Sequence, residues 1–309
     1  MPEAGAAPLG RLAVVGLGLI GSSIARGARR YGLAETIVAI DRDEAVRARV
    51  RELGLADAVT GEAGEGVAGA DLVILCVPVG AVGPVAAEIA PHLAPGAILS
   101  DVGSVKGSVV AAVAPHLPEG VAFVPGHPVA GTEYSGPDAG FSTLFQNRWC
   151  ILTPPEGTDE APVARVRAFW EGLGAIVETM SPEHHDLVLA ITSHVPHLIA
   201  YNIVGTAADL EEVTQSEVIK FSAGGFRDFT RIAASDPTMW RDVFLTNKDA
   251  VLEMLGRFNE DLAALARAIR WGDGEALHAL FTRTRAIRRG IVAMGQETAE
   301  PDFGRRKEG

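Results

Sequence analysis

From Arg11 to about Thr179, short β-branched runs alternate with alanine-rich helical stretches, and after Thr179 the alternation stops. The first pattern is that of βαβ units, since strands lying parallel in one sheet need a long crossover, usually a helix, between them. Strands are expected at Leu12 to Val15, Thr36 to Ile40, Leu72 to Val77, Ala97 to Asp101, Val121 to Val124, Cys150 to Thr153 and Ala175 to Glu178. The acidic insert Pro154 to Pro162 reads as a surface loop. Ser181-Pro182-Glu183 then presents an N-cap, a proline at the first helical position and an acidic first turn, and helical periodicity runs to about Gln296. Pro196 should interrupt or kink the first long helix. Leu252 to Ile269 and Glu275 to Ile291 are amphipathic and suit packing against other helices or a second subunit. The expected fold is an α/β domain with a doubly wound, mostly parallel sheet over residues 1–180, an all-helical domain over 181–297 and a polar tail over 298–309.

Within the first βαβ unit, Gly16, Gly18 and Gly21 form GLGLIG directly after the strand LAVV and directly before the helical SSIARGARR. In that context the glycines, with Leu19 and Ile20 between them, provide a tight turn and a close approach of backbone to pyrophosphate. The helix N-terminus adds amide donors and a positive dipole end. This is the Rossmann-type fingerprint. Asp41 ends the next strand, where a carboxylate accepts from ribose hydroxyls and repels a 2′-phosphate, which favours NAD over NADP. Arg42 beside it is the feature that would tolerate NADP. Cys76-Val77-Pro78 ends a later strand and is expected to wall the cofactor site.

Charge narrows the partners. With 27 Lys and Arg against 39 Asp and Glu the net charge is −12, which argues against nucleic acid or an anionic membrane as a general partner. An anionic substrate would need a locally positive pocket. Cys76 and Cys150 both lie in apolar runs and read as buried free thiols, which fits a reducing, cytoplasmic compartment. Neither a signal peptide nor an apolar run long enough to span a bilayer is expected.

His127 sits in VPGHPVAGTE, after the apolar run Val121 to Val124. Pro128 disfavours helix at His127, so its imidazole is expected in a loop at a strand's carboxyl end, where open α/β sheets bind ligands. The competing reading is a loop histidine bonded to backbone. Ser104, in SDVGSVKGS, is a functional candidate or a helix N-cap. His194 and His197 in SHVPH lack a matching acidic or cysteine ligand, so no metal site is expected. His184 and His185, with His92, His116 and His278, read as surface residues.

The motifs GLGLIGSS, DVGSVK, PGHPVAGTEYSG, TSHVPH and GGFRDFTRIAASDPTMW together resemble the prephenate and arogenate dehydrogenases of tyrosine biosynthesis, nearly end to end. The resemblance implies NAD-dependent oxidative decarboxylation of a cyclohexadienyl ring without a metal. It makes His127 the acceptor of the C4 hydroxyl proton, and Ser104 the group that orients hydroxyl, histidine and nicotinamide. Arg231 becomes the grip on a substrate carboxylate, against the alternative of an ion pair with Asp228. His197 becomes the likelier substrate contact, and His194 a pocket or core histidine. Glu133 becomes a gate, while Trp240 and Asp228 lie near the site, Trp240 alternatively as helix packing. His197 inclines the reading toward prephenate, with arogenate or both as the alternative. A homodimer through the helical half and competitive inhibition by tyrosine are also implied, without a fused mutase or regulatory domain. A β-hydroxyacid dehydrogenase reading is weakened because Lys220 and Lys248 lie outside the first helix of the helical half. A non-catalytic NAD-sensing module is the remaining alternative.

Overall fold

A computed structural model describes residues 7–132, 134–209 and 223–293. Its N-terminal part is built on strands β1 (Leu9–Val15), β2 (Ala34–Ile40), β3 (Ala58–Thr60), β4 (Leu72–Leu75), β5 (Ile98–Asp101) and β6 (Ala122–Phe123). They form one sheet of order β3-β2-β1-β4-β5-β6, with every neighbouring pair parallel. Strand order reverses between β1 and β4, which opens a crevice at their carboxyl ends. Val14, Ile37 and Ile74 pack on one face of the sheet, while Val15, Val38, Val73 and Leu99 fill the other. Both faces are therefore dry, as a parallel sheet covered by helices requires.

Helices α1 (Leu19–Tyr31), α2 (Glu44–Glu52), α3 (Ala63–Val67), α4 (Val79–Ile89) and α5 (Lys106–Val113) make the crossovers. A second, three-stranded sheet, β7 (Gly126–Pro128), β8 (Trp149–Leu152) and β9 (Ile176–Thr179), follows with helix α6 (Glu160–Gly172). Here β7 runs antiparallel to β8, and β8 parallel to β9. Two of these features depart from the sequence reading. The insert after β8 is loop only as far as Asp159, because Glu160 already opens α6. His127 lies within β7, paired with Ile151, rather than in a loop.

The helical part comprises α7 (Pro182–Leu189), a π-turn over Ala190–His194, α8 (Val195–Asp209), α9 (Gly224–Thr230), α10 (Pro237–Thr246), α11 (Lys248–Trp271) and α12 (Gly274–Ala293). The Ser181 hydroxyl caps α7 by accepting from the His184 amide. Pro196 has no N–H, and its ring opposes the carbonyl four residues back, so the chain widens to a π-turn just before it. Pro182–Asp209 nevertheless runs on as 28 helical residues, long and apolar enough by length and composition to cross a membrane. That revises the expectation that no such stretch exists. Buried His185, Asp186 and His194 on it face the rest of the protein, the arrangement of a domain's spine helix.

Candidate active site

The turn after β1 gives the three glycines different tasks. Gly16 has a φ of +94°, and a Cβ there would lie 2.6 Å from the Cys76 carbonyl oxygen. At Gly21 a Cβ would come within 1.9 Å of the Gly16 oxygen, so this residue must be bare for α1 to sit on the turn. A Cβ on Gly18 would meet nothing within 4 Å. The open side therefore lies at the second glycine, over the N-terminus of α1, which has neither a side-chain cap nor an acidic residue in its first turn. Backbone amides of Leu19, Ile20 and Gly21 at such an end favour an anion. The Asp41 carboxylate buttresses the turn, accepting from the Leu17 amide at 2.9 Å and the Asp43 amide at 3.0 Å. Arg42 is exposed. Val77 and Pro78 follow β4 on the far wall, Val77 within 3.1 Å of a Cβ on Gly16. These residues fit a dinucleotide.

His127 is 7% exposed and has its Nδ1 2.8 Å from Nε2 of His185. His185 is fully buried, and its Nδ1 lies 2.8 Å from an Asp186 carboxylate oxygen. This corrects the reading of His185 as a surface residue. Burial, with His185, Lys106 and His194 nearby, holds the His127 pKa well below the usual histidine range. An uncharged imidazole is a proton acceptor.

Below β7 lies a buried ion pair. Lys106 donates to the Asp101 carboxylate and, at 2.7 Å, to the Gly126 carbonyl, with neither charged side chain exposed. Asp101 also accepts from the amides of Gly103 at 2.7 Å and Gly126 at 3.3 Å. The pair thus ties the segment carrying Ser104 to the strand carrying His127. Desolvation pushes the Lys106 pKa down, and the neighbouring Asp101 opposes it. Ser104 is half-buried, but the N-cap position of α5 belongs to Val105, without a side-chain cap. The first amides of α5 instead donate to Asp186 of the helical part, Lys106 N at 2.7 Å and Gly107 N at 2.8 Å. The N-cap alternative for Ser104 therefore falls.

The helical part brings its own residues to this junction. The His197 ring stacks on Trp240 with centroids 3.6 Å apart, and its Nδ1 donates to the Ser193 carbonyl at 2.8 Å. Desolvation lowers the His197 pKa, and the charge of Arg231 adds to that shift. His194 is fully buried, accepts from the Asn247 amide at 3.1 Å and stands edge-on to Trp240 at 6.1 Å. Burial brings its pKa down to about 4, although Asp186 and the Ser104 backbone favour the cation. Trp240 packs with Val105 and Val243, so it does serve helix packing, beside the histidines. Asp228 lies 3.8 Å from Arg227, both exposed. Glu133 lies outside the described residues.

Residues 24–179 match the prephenate dehydrogenase nucleotide-binding domain, and residues 181–283 the prephenate dehydrogenase dimerization domain. The chain belongs to the prephenate dehydrogenase family. It is 46% identical over 277 residues to the cyclohexadienyl dehydrogenase of Zymomonas mobilis, covering 90% of this chain and 94% of that one. It is 35% identical over 291 residues to the prephenate dehydrogenase of Bacillus subtilis, covering 94% and 78%. Among solved structures, prephenate dehydrogenase from A. aeolicus in complex with hydroxyphenyl propionate and NAD+ superposes with a TM-score of 0.84 at 34% identity, over 94% of this chain and 100% of that one.

Sequence reading missed Asp101, Lys106, His185, Asp186 and Asn247. A usable signal existed for one of them: Ser181 fixes the start of α7, and from there His185 falls one turn before Leu189 on the buried stripe, while His184 falls outside it.

Proposed function

We propose that this protein catalyses NAD-dependent oxidative decarboxylation of prephenate to 4-hydroxyphenylpyruvate, with arogenate as the alternative substrate. The observation that supports the reading is a buried, uncharged His127 bonded to His185 of the helical part, which also carries His197 stacked on Trp240 and within the influence of Arg231. NAD would be held by Gly16, Gly18, Leu19, Ile20, Gly21, Asp41, Val77 and Pro78, and when bound it supplies the acceptor for the hydride of ring C4. His127 takes the C4 hydroxyl proton as the carbonyl forms. Loss of CO2 then leaves its bonding pair in the ring, and the resulting phenolate oxygen recovers the proton. Ser104 orients the hydroxyl, and Arg231 and His197 bind the side chain and its carboxylate. Arginine suits that task because its planar fork matches a carboxylate.

Three further parts belong to the same reading. Tyrosine, with a similar ring and a side-chain carboxylate, competes for the pocket. A second copy covers the helical part. The compartment is reducing, which suits the free thiols of Cys76 and Cys150.

Purified protein given NAD or NADP with prephenate or arogenate, followed by NADH or NADPH appearance, tests the proposal. Turnover is expected with prephenate and NAD, and His127→Asn should lower kcat by about 10²- to 10⁴-fold while leaving NAD affinity near wild type. No turnover of either substrate would overturn it.

A further inference from the structure

A chain of three side chains runs from the helical part to the proposed base, and its donors and acceptors can be assigned in turn. Asp186 accepts from the Lys106 and Gly107 amides at the positive end of α5. Both Asp186 oxygens already accept from those amides, Oδ1 from Lys106 and Oδ2 from Gly107, so the His185 Nδ1 facing Oδ1 at 2.8 Å carries the hydrogen. His185 is surrounded by Asp186 on its own helix, Lys106 on α5, Asp101 on β5 and His127 on β7. Desolvation lowers its pKa, Lys106 adds to the shift, and Asp186 and Asp101 oppose it. The ring is neutral, and its Nε2 presents a lone pair. His127 Nδ1, 2.8 Å from that lone pair, must then be the donor. The opposite polarity would require a buried cationic His185 donating from both nitrogens, next to a buried lysine.

We propose that His185, oriented by Asp186, is a positioning residue that holds His127 in the tautomer protonated on Nδ1, so that Nε2 is the atom taking the substrate proton. This rests on the reading of His127 as the base. During the step one proton leaves the C4 hydroxyl oxygen and arrives at Nε2, and it returns to that oxygen after CO2 departs. In between, the imidazolium keeps its Nδ1–H bond to His185, and the Asp186 carboxylate offsets its charge through the second ring. The arrangement follows the logic by which a buried carboxylate selects a histidine tautomer in hydrolytic triads, with one imidazole interposed.

The test is a ¹⁵N spectrum of histidine-labelled protein, with His127 assigned by the signals lost in His127→Asn. His127 is expected to show a protonated Nδ1 and a bare Nε2. His185→Phe, which keeps a ring but no nitrogen, should lose that preference and lower kcat by at least about tenfold with KM for prephenate little changed. His185→Gln, whose amide oxygen can accept from His127 Nδ1, should recover most of kcat. A wild-type His127 protonated on Nε2, or wild-type kcat in His185→Phe, would overturn the proposal. Should His185→Phe fail to fold, the wild-type spectrum and the kcat of His185→Gln decide. The spectrum needs no substrate, so absence of prephenate turnover would remove the function and leave the tautomer assignment standing on its own measurement.

Discussion

Burial of His127, His185 and His194 at one junction ties stability to protons as well as preparing a base. Each has its folded-state pKa lowered, with desolvation the largest cause. The unfolded chain therefore binds protons more readily than the folded one below about pH 6.5, the ordinary histidine value, and stability falls as pH drops through that window. Above it these groups contribute no further change. For His194, lowered to about 4, the full loss on reaching that pH is about 3 kcal/mol. The urea midpoint should be flat at neutral pH and fall between about pH 6.5 and pH 5, where most carboxylates are still ionised. His194→Phe should reduce the slope. A midpoint unchanged over that interval would contradict the burial argument. At this scale a surrounding motif singled out His127, His194 and His197, of which the structure buries the first two and half-buries the third. The sequence was silent at Lys106 and Asp101, because two charges five residues apart give no sign that folding buries both.

Among the elements, the β1 turn separates cofactor binding from folding. Gly18→Ala places a methyl where no protein atom lies within 4 Å, whereas Gly21→Ala drives one to 1.9 Å from a backbone oxygen. Gly18→Ala should therefore melt near wild type yet bind NAD more weakly by titration, and Gly21→Ala should lose at least about 1–3 kcal/mol by urea unfolding, the cost of overpacking. Equal stability in the two variants would refute this division of labour. Strands β1, β2, β4, β5, β6, β8 and β9 were legible because each lies in an apolar run punctuated by turn residues. The short β3 and β7 were not. Gly126–Pro128 has no β-branched residue, and it becomes a strand only because β8 offers a ladder on one side and Lys106 binds its Gly126 carbonyl. The π-turn was foreshadowed by Pro196, but its register was not, since that depends on how His194 and His197 pack on Trp240.

In the whole molecule the imbalance lies in the last two helices. α11 buries only Val251 and Met254, near its start, and α12 has no buried residue among those described. Ile269 is 67% exposed, Trp271 78%, Phe281 56% and Ile287 57%. Helices gain most of their stability by packing an apolar face, so two helices of 24 and 20 residues with open apolar faces call for a partner surface. A second copy of the same chain supplies one under two-fold symmetry, and obligate interfaces of this type commonly bury more than about 2,000 Å². Light scattering at micromolar concentration should give twice the 32.3 kDa chain mass. Phe281→Glu combined with Ile287→Glu should shift the mass toward one chain and lower helical content, because the exposed helices lose the surface that holds them. Activity should fall with the dimer, since the spine helix that carries His185, His194 and His197 shares its core with α11 through Val195, Val251 and Met254. A wild-type monomer with full turnover would separate the active site from assembly and remove the second copy from the argument.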